Sequence, residues 1–326
     1  MLISAAGLHA INFADGSRWE YNAVTGVEDY TGTIAANVVG VALGFLTGNF
    51  MFASGYNVIH DIVSNAVSDS MYVYYASKNN IVKIDKKNGE VIWNGELPQE
   101  STSKSHIIIE DSILYHVNYG YAYMGNRKLK FGKPYIAAYN VETGKQKYLS
   151  QLENQEMINS YYISDKNMFL LTDKDILMYS KETGRFISKK KCADTIGNLQ
   201  YFIGSRVYMN DANNHFFPVI QQDTSKLFIL TKNEYFLTVD SMLNITDTQK
   251  TNNWYIYYAR YNDKKFIAKG QETIIINEDG NEIAEITATL NAFLIDKVLY
   301  DKKNNIFTKI DLTELLNNSD NQLYVE

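Results

Sequence analysis

The sequence predicts an all-β protein: a β-propeller of seven, or alternatively eight, four-stranded antiparallel blades. Three observations lead to this prediction. A unit of short alternating strands recurs along the chain, and its turns repeatedly carry glycine. The composition also favours strands, with 25 tyrosines, 15 phenylalanines and only 3 prolines in 326 residues. Hydrophobic residues at 45% and charged residues at 21% are typical of globular proteins and exclude a mainly disordered chain.

The clearest copy of the unit runs from Tyr72 to Trp93 and reads YVYYASKNNIVKIDKKNGEVIW. Its strands alternate with period two and are separated by Asn, Asp and Gly, as in a meander of antiparallel strands. Glycine recurs because the residue that closes such a turn often has positive φ, which glycine adopts without a Cβ clash and asparagine tolerates. The pattern predicts seven turn anchors, at Gly16, Gly89, Gly144, Gly184, Asn244, Gly280 and Leu315.

Seven anchors predict seven blades within one propeller domain that covers residues 1–326. The segment from Ile196 to Asp211 belongs either to the fifth unit or to an additional blade, which leaves eight blades as the alternative. The strand-like tail from Asn321 to Glu326 is expected to pair with the first unit, because a propeller joins its ends or leaves two open edges.

The unequal spacing of the anchors predicts insertions, and the first covers residues 30–60, between the first two blades. It is apolar and rich in glycine, and it contains no Asp, Glu, Lys or Arg. Length alone would allow a membrane span, but a span at 35–55 would separate the first unit from the others, and the ring could not close. We therefore expect no transmembrane span. Packing on the propeller and contact with lipid or a partner are the two open roles.

The second insertion covers residues 118–134, NYGYAYMGNRKLKFGKP, and is predicted to be an irregular loop excursion. Loops on a rigid scaffold often carry recognition, and Tyr, Met and Arg are enriched in the cores of protein interfaces. Surface decoration is the alternative interpretation. The candidate partner-binding residues are Tyr119, Tyr121, Tyr123, Met124, Arg127 and Lys128.

The segment from Ile84 to Trp93, IDKKNGEVIW, resembles the repeat of quinoprotein-like (PQQ-like) β-propellers. The turns at 140–145 (NVETGK) and 181–185 (KETGR) match the same repeat, and the resemblance covers most of the chain. It implies that aromatic and turn residues stabilise the packing between neighbouring blades. The family includes dehydrogenases that bind pyrroloquinoline quinone with calcium and non-catalytic members that bind proteins. The enzymes carry adjacent cysteines, whereas Cys192 is the single cysteine here, so the resemblance implies the non-catalytic branch without the quinone.

No catalytic, cofactor or metal site is predicted. The histidines at 9, 60, 106, 116 and 215 lack the spacing of a metal pair, and no Gly-x-Ser-x-Gly or Gly-x-Gly-x-x-Gly motif is present. Acidic residues at the turns are predicted to cap the backbone, with calcium binding or paired carboxylates for glycoside hydrolysis as the alternative. These residues are Asp85, Glu142, Asp173, Asp175, Asp279 and Asp311. The sequence therefore favours a protein that is not an enzyme.

The net charge restricts the possible partners, and the cysteine content restricts the possible disulfides. With 31 basic and 37 acidic residues the formal net charge is −6, which argues against nucleic acid as a partner, and one cysteine excludes an internal disulfide. The start of the chain has no secretory pattern, so a cytoplasmic monomer is expected, with export after removal of a signal peptide as the alternative.

Two functional hypotheses follow. The leading one is a non-catalytic propeller that binds another protein, as a scaffold or as a dedicated binder. Neutralisation of a cognate toxin is one specific form of it. The alternative is a propeller that binds or hydrolyses a carbohydrate or small ligand in its central channel.

Overall fold

The computed structural model describes most of the chain between residues 62 and 313, together with short segments near the start. The described ranges are 2–4, 7–11, 16–22, 59–60, 62–124, 127–152, 155–203, 207–210, 215–219, 225–250, 253–303 and 306–313. The chain divides into two compact units: unit 1 is Met1–Asp173 with Leu177–Ser188, and unit 2 is Lys174–Ile176 with Lys189–Glu326.

Unit 1 holds the first three sheets, most of the fourth, and a small separate sheet. The first sheet contains β1 (Leu2–Ser4), β2 (Gly7–Ile11) and β3 (Arg18–Asn22). The second contains β5 (Val67–Ser68), β6 (Tyr72–Ala76), β7 (Asn80–Asp85) and β8 (Val91–Glu96). The third contains β9 (Ser105–Glu110), β10 (Ile113–Asn118), β13 (Tyr135–Asn140) and β14 (Gln146–Gln151). The fourth contains β15 (Ser160–Ile163), β16 (Asn167–Leu171), β17 (Asp175–Ser180) and β18 (Phe186–Lys191). The small sheet contains β4 (Ile59–His60), β11 (Tyr121–Met124) and β12 (Arg127–Lys130).

Unit 2 holds three further sheets and a short 3-10 turn at Asp194–Ile196. The fifth sheet contains β19 (Leu199–Phe202), β22 (Lys226–Thr231), β23 (Tyr235–Asp240) and β24 (Ile245–Lys250). The sixth contains β20 (Val207–Asn210), β21 (Phe216–Val219), β25 (Asn253–Tyr261), β26 (Lys264–Lys269), β27 (Glu272–Ile276) and β28 (Glu282–Ile286). The seventh contains β29 (Phe293–Ile295), β30 (Val298–Lys303) and β31 (Ile306–Asp311).

These sheets confirm the predicted fold class. Neighbouring strands pair antiparallel, and sequential four-stranded sheets joined by tight turns are the blades of a β-propeller. The segment from Ile196 to Asp211 is divided, since β19 pairs with β22 in the fifth sheet and β20 pairs with β25 in the sixth. The number of blades stays a prediction.

In unit 1, each of the first three sheets carries an aromatic side chain on its last strand, and this side chain donates a hydrogen bond to a turn of the next sheet. The acceptor is the carbonyl of the residue directly after β7, β13 or β17. The bonds run from Trp19 Nε1 to Lys86 O (2.8 Å), from Trp93 Nε1 to Val141 O (2.9 Å) and from Tyr148 Oη to Lys181 O (2.9 Å). The blade packing that the resemblance implied is therefore present at three successive junctions of unit 1.

The predicted turn anchors are mostly correct. Gly16, Gly89, Gly144, Gly184 and Gly280 all have positive φ, between 68° and 83°. Asn244 was the wrong residue in its turn, because the positive φ of 66° belongs to the preceding Leu243. The Leu243 side chain is buried, and this burial, about 2 kcal/mol, outweighs the cost of a left-handed leucine.

Several sequence predictions lie outside the described residues. These are the insertion at 30–60 except for Ile59 and His60, the anchor Leu315, and the tail from Asn321 to Glu326. No helix within the described ranges has the length and apolar character needed to cross a membrane.

The core of unit 1 contains one buried polar side chain with a measurable consequence. His116 on β10 is fully buried edge-on against Tyr135, and neither of its ring nitrogens has a hydrogen-bond partner among the described residues. Burial lowers the pKa of His116 to about 3. The folded state therefore keeps this imidazole neutral at pH values where the unfolded chain, with a pKa of about 6.5, binds a proton.

The stability of unit 1 should consequently fall as the pH drops below about 6.5, by up to about 1.4 kcal/mol per pH unit from His116 alone. The variant His116→Leu should remove this part of the slope, which urea denaturation between pH 4.5 and pH 7 would measure. Parallel stability curves for the variant and the wild type would contradict the assignment.

Candidate functional site

The second insertion is a β-hairpin and not an irregular loop. Strands β11 and β12 pair with each other, and β11 also pairs with β4, so the sheet order is β12-β11-β4. The prediction of an irregular loop was wrong because the alternation of residues 121–130 is itself strand-forming. The hairpin leaves the third sheet after β10 and returns at β13, and these two strands are neighbours in that sheet. A regular sheet therefore fixes both of its ends.

The alternation of the strands divides the six predicted residues between two faces. Tyr121 and Tyr123 lie on one face, and Lys128 joins them because it pairs with Tyr123. Tyr119 stacks on Tyr121, with ring centroids 5.5 Å apart and planes at 17°. Met124 and Arg127 pair with each other one residue further along, so they belong to the opposite face together with Ala122.

The three tyrosines form one row of rings with a fourth tyrosine, and we call Tyr119, Tyr121, Tyr123 and Tyr161 the tyrosine ladder. Tyr121 meets Tyr123 edge-on at 5.8 Å, and Tyr119 lies 6.4 Å from Tyr161 on β15 of the fourth sheet. Each of these rings is half-buried. The ladder therefore joins the hairpin to two consecutive sheets of unit 1. Sequence reasoning missed Tyr161, since nothing local distinguishes it from the other strand tyrosines.

Two lysines lie over the ladder. The Nζ of Lys128 is 4.0 Å from the centre of the Tyr121 ring, and the Nζ of Lys104 is 5.7 Å from that of Tyr123. Such cation–π contacts contribute about 0.5–1 kcal/mol at exposed sites. The Lys128 side chain as a whole is exposed, but partial desolvation of its ammonium group lowers the pKa of Lys128, and the nearby charge of Asp173 opposes that shift.

A polar chain orients Lys128. Its Nζ donates to Asn159 Oδ1 at 3.4 Å, and Asn159 Nδ2 donates to the carboxylate of Asp173 at 2.9 Å. The amide separates the two charges, so Asp173 attracts Lys128 without forming a direct ion pair with it in these contacts. The ammonium group of Lys128 is thus held above Tyr121 on the ladder face.

At the other end of the ladder, the Tyr161 hydroxyl and His106 Nδ1 are 2.6 Å apart. Burial lowers the pKa of His106, the neighbouring charge of Lys104 lowers it further, and burial raises the pKa of Tyr161. Both groups are therefore neutral near pH 7. A short hydrogen bond of this kind orients the Tyr161 ring.

A buried hydrogen-bond network fixes the base of the hairpin. Asn118, the last residue of β10, accepts from Ser103 N at 2.7 Å and from Ser103 Oγ at 2.9 Å, and it donates to Ser101 O at 2.9 Å and Lys133 O at 2.8 Å. The Ser103 hydroxyl in turn accepts from Gly120 N at 2.8 Å. Asn118 and Ser103 are fully buried. One amide thus connects the segment before β9 to both ends of the insertion.

The other candidate groups are not assembled into a site. His116 pairs with Ile107, and His106 pairs with Val117, so the two histidines point to opposite faces of their sheet. Asp85 and Asp311 accept backbone N–H groups of their own turns, as predicted for caps. In the part of the chain that the structure describes, no group of three or more His, Cys, Asp and Glu side chains is placed to hold a metal ion.

Unit 2 contains a shallow cleft with a volume of about 390 Å³. Its lining residues are mostly polar: Thr195, Lys232, Asn233, Glu234, Tyr235 and Lys250. Ligand pockets of this volume usually have mainly apolar walls with a few polar groups, so the lining suits a small polar ligand better than an apolar one.

Comparisons with known proteins give remote structural similarity only. No protein-family model matches the chain, and no curated protein matches its sequence. Among solved structures, BamB from Moraxella catarrhalis is similar, with 11% identity, 95% of this chain and 92% of that chain covered, and a TM-score of 0.40. The β-propeller domain of Cps50 (Swd1) from Myceliophteria thermophila is 9% identical, with 76% and 82% covered and a TM-score of 0.42.

A protein of unknown function from Bacteroides caccae is also similar, with 11% identity, 87% of this chain and 92% of that chain covered, and a TM-score of 0.41. Similarity at this level carries no information about function. The fold assignment therefore depends on the sheets of this chain.

Proposed function

We propose that this chain is a non-catalytic β-propeller that binds another protein through the hairpin β11–β12. The observation that carries the proposal is the tyrosine ladder, in which four half-buried rings are ordered before any partner arrives. Tyrosine supplies a large contact area and loses little conformational entropy on binding, and prior stacking reduces that loss further.

The position of the hairpin supports the same proposal. Both ends are held by the Asn118 network and by the neighbouring strands β10 and β13, so the ladder is fixed relative to its sheet. The repeat does not need this insertion, since the other four-stranded sheets of unit 1 connect their middle strands by short turns. Recognition elements on regular scaffolds are typically inserted in this way.

The test is affinity capture from the native cell with a matched pair of variants. Tyr123→Ser removes one ring of the ladder, and Tyr201→Ser removes an exposed tyrosine from β19 at the edge of the fifth sheet. The partner recovered with the wild type should be reduced about tenfold or more by Tyr123→Ser, as for an interface hot spot. Tyr201→Ser should leave recovery unchanged. Equal recovery with both variants would contradict binding through the hairpin, provided that their thermal melts match.

The alternative function, binding or hydrolysis of a carbohydrate or small ligand, has the shallow polar cleft in unit 2 as its candidate place, where Lys232 and Lys250 lie together with Glu234. A thermal-shift screen of sugars and metabolites tests it, because a ligand that binds only the folded state raises the melting temperature. The absence of a cofactor, the toxin-neutralising form, the monomeric state and the cytoplasmic location stay predictions.

A further inference from the structure

The hairpin carries a charge opposite to that of the whole chain. Residues 118–134 contain Arg127, Lys128, Lys130 and Lys133 and no Asp or Glu, whereas the chain has a net charge of −6. Lys104 adds a fifth positive charge, since its main chain bonds to Tyr119 and Tyr121 and its ammonium lies over Tyr123. Two acidic groups act on the ladder in the described contacts: Asp173 through Asn159, and Glu110, which pairs with Lys181 and acts electrostatically on Tyr161.

Three of the four residues of β12 are basic and exposed, and among the strands that the structure describes β12 is terminal in the order β12-β11-β4. A terminal strand can accept an additional extended segment through its backbone, and the side chains beside it select that segment. Lys128 and Lys130 project from the ladder face of β12, where they pair with Tyr123 and Tyr121. Side chains of an incoming strand that point to the ladder face would lie beside the side chains of Lys128 and Lys130.

The ring of Tyr121, in the middle of the ladder, is poorly placed for stacking against a planar ligand. Tyr121 is already stacked on Tyr119 and carries Lys128 at 4.0 Å from its centre. Bases of single-stranded nucleic acid need open ring faces, whereas carboxylates need the ammonium groups. The arrangement therefore favours carboxylates over bases.

We propose that the edge of β12 and the adjoining tyrosine ladder bind an extended acidic segment of the partner protein. This proposal rests on the proposed function and names the chemistry of the ligand. Asp and Glu side chains of the segment pair with Lys128 and Lys130, and the backbone of the segment runs alongside β12. Long-range attraction by the basic hairpin speeds the encounter, and the tyrosines supply the contact area.

The experiment uses the full chain, immobilised, and a displayed library of random ten-residue peptides. The selected peptides should be enriched in Asp and Glu, and one of them, synthesised with a fluorescent label, gives a dissociation constant by anisotropy. Lys128→Gln combined with Lys130→Gln should weaken its binding about tenfold, and raising the salt concentration should weaken wild-type binding. The matched control is Lys189→Gln with Lys190→Gln on β18, another exposed basic terminal strand, and it should bind like the wild type.

Three results would overturn the proposal. One is selection of neutral or basic peptides, which would mean that the edge lysines only prevent strand addition. Another is equal weakening by the β18 control, which would indicate unspecific attraction. The third is tighter binding of a ten-nucleotide single-stranded DNA that depends on Lys128 and Lys130. If Tyr123→Ser still abolishes capture of the native partner while acidic peptides are not selected, the proposed function stands and only the acidic ligand is wrong.

Discussion

Replacing Gly144 with alanine should lower the free energy of unfolding of unit 1 by about 3 kcal/mol. Two costs add. Gly144 has a φ of +68°, where an L-residue costs roughly 1–2 kcal/mol. A Cβ at this position would also lie 2.7 Å from a ring carbon of Trp93, and relieving such overpacking costs about 1–3 kcal/mol. Urea denaturation followed by tryptophan fluorescence measures the change.

Gly16→Ala is the matched control. Gly16 is the predicted turn anchor before β3 and has a φ of +72°, but among the described residues no atom lies within 4 Å of the Cβ that alanine would add. Only the backbone cost applies, so this variant should lose about 1–2 kcal/mol. Equal losses in the two variants would mean that the ring of Trp93 moves away freely, and the bond from its Nε1 to Val141 would then contribute little to the junction.

The repeat was predictable from sequence because its signals are local. An Asp or Asn that ends a strand, a glycine four residues later and an aromatic residue on the following strand are all close in sequence around Asp85. Each has a local physical cause, namely capping of the turn, a positive φ and a pleated strand. The exception is the turn after β23, where the left-handed position lies at the buried Leu243 and not at Asn244.

The candidate site was predictable only in part. Composition identified the six residues at 119–128, but their division between two faces depends on the register that pairs Tyr123 with Lys128. Tyr161 and Asn159 enter the site from the fourth sheet, and Lys104 enters from the segment before β9. These contacts join residues distant in the chain, so they follow from packing between sheets, and no pattern within one strand encodes them.

Replacing Asn118 with alanine should cost unit 1 about 3–4 kcal/mol and should also disorder the tyrosine ladder. The substitution leaves Ser103 N and Lys133 O without the amide that pairs with them at 2.7–2.8 Å, whereas Ser101 O keeps the bond that it accepts from Lys133 N at 2.9 Å. Each buried polar group without a partner costs about 1–3 kcal/mol, although relaxation and water entry reduce the sum. Urea denaturation gives the stability, and near-ultraviolet circular dichroism reports the order of the tyrosine rings.

Asn88→Ala is the control, because Asn88 bonds to Glu90 in an exposed turn, where water replaces the lost partner. It should cost under about 1 kcal/mol and leave the tyrosine signal unchanged. A large loss of stability in Asn118→Ala with an intact tyrosine signal would show that the network supports only the third sheet. We expect stability and the tyrosine signal to be lost together, because the Asn118 amide donates hydrogen bonds to both Ser101 O and Lys133 O. These two residues lie near the base of the hairpin. The same amide therefore links the stability of the blade to the geometry of the surface proposed to bind the partner.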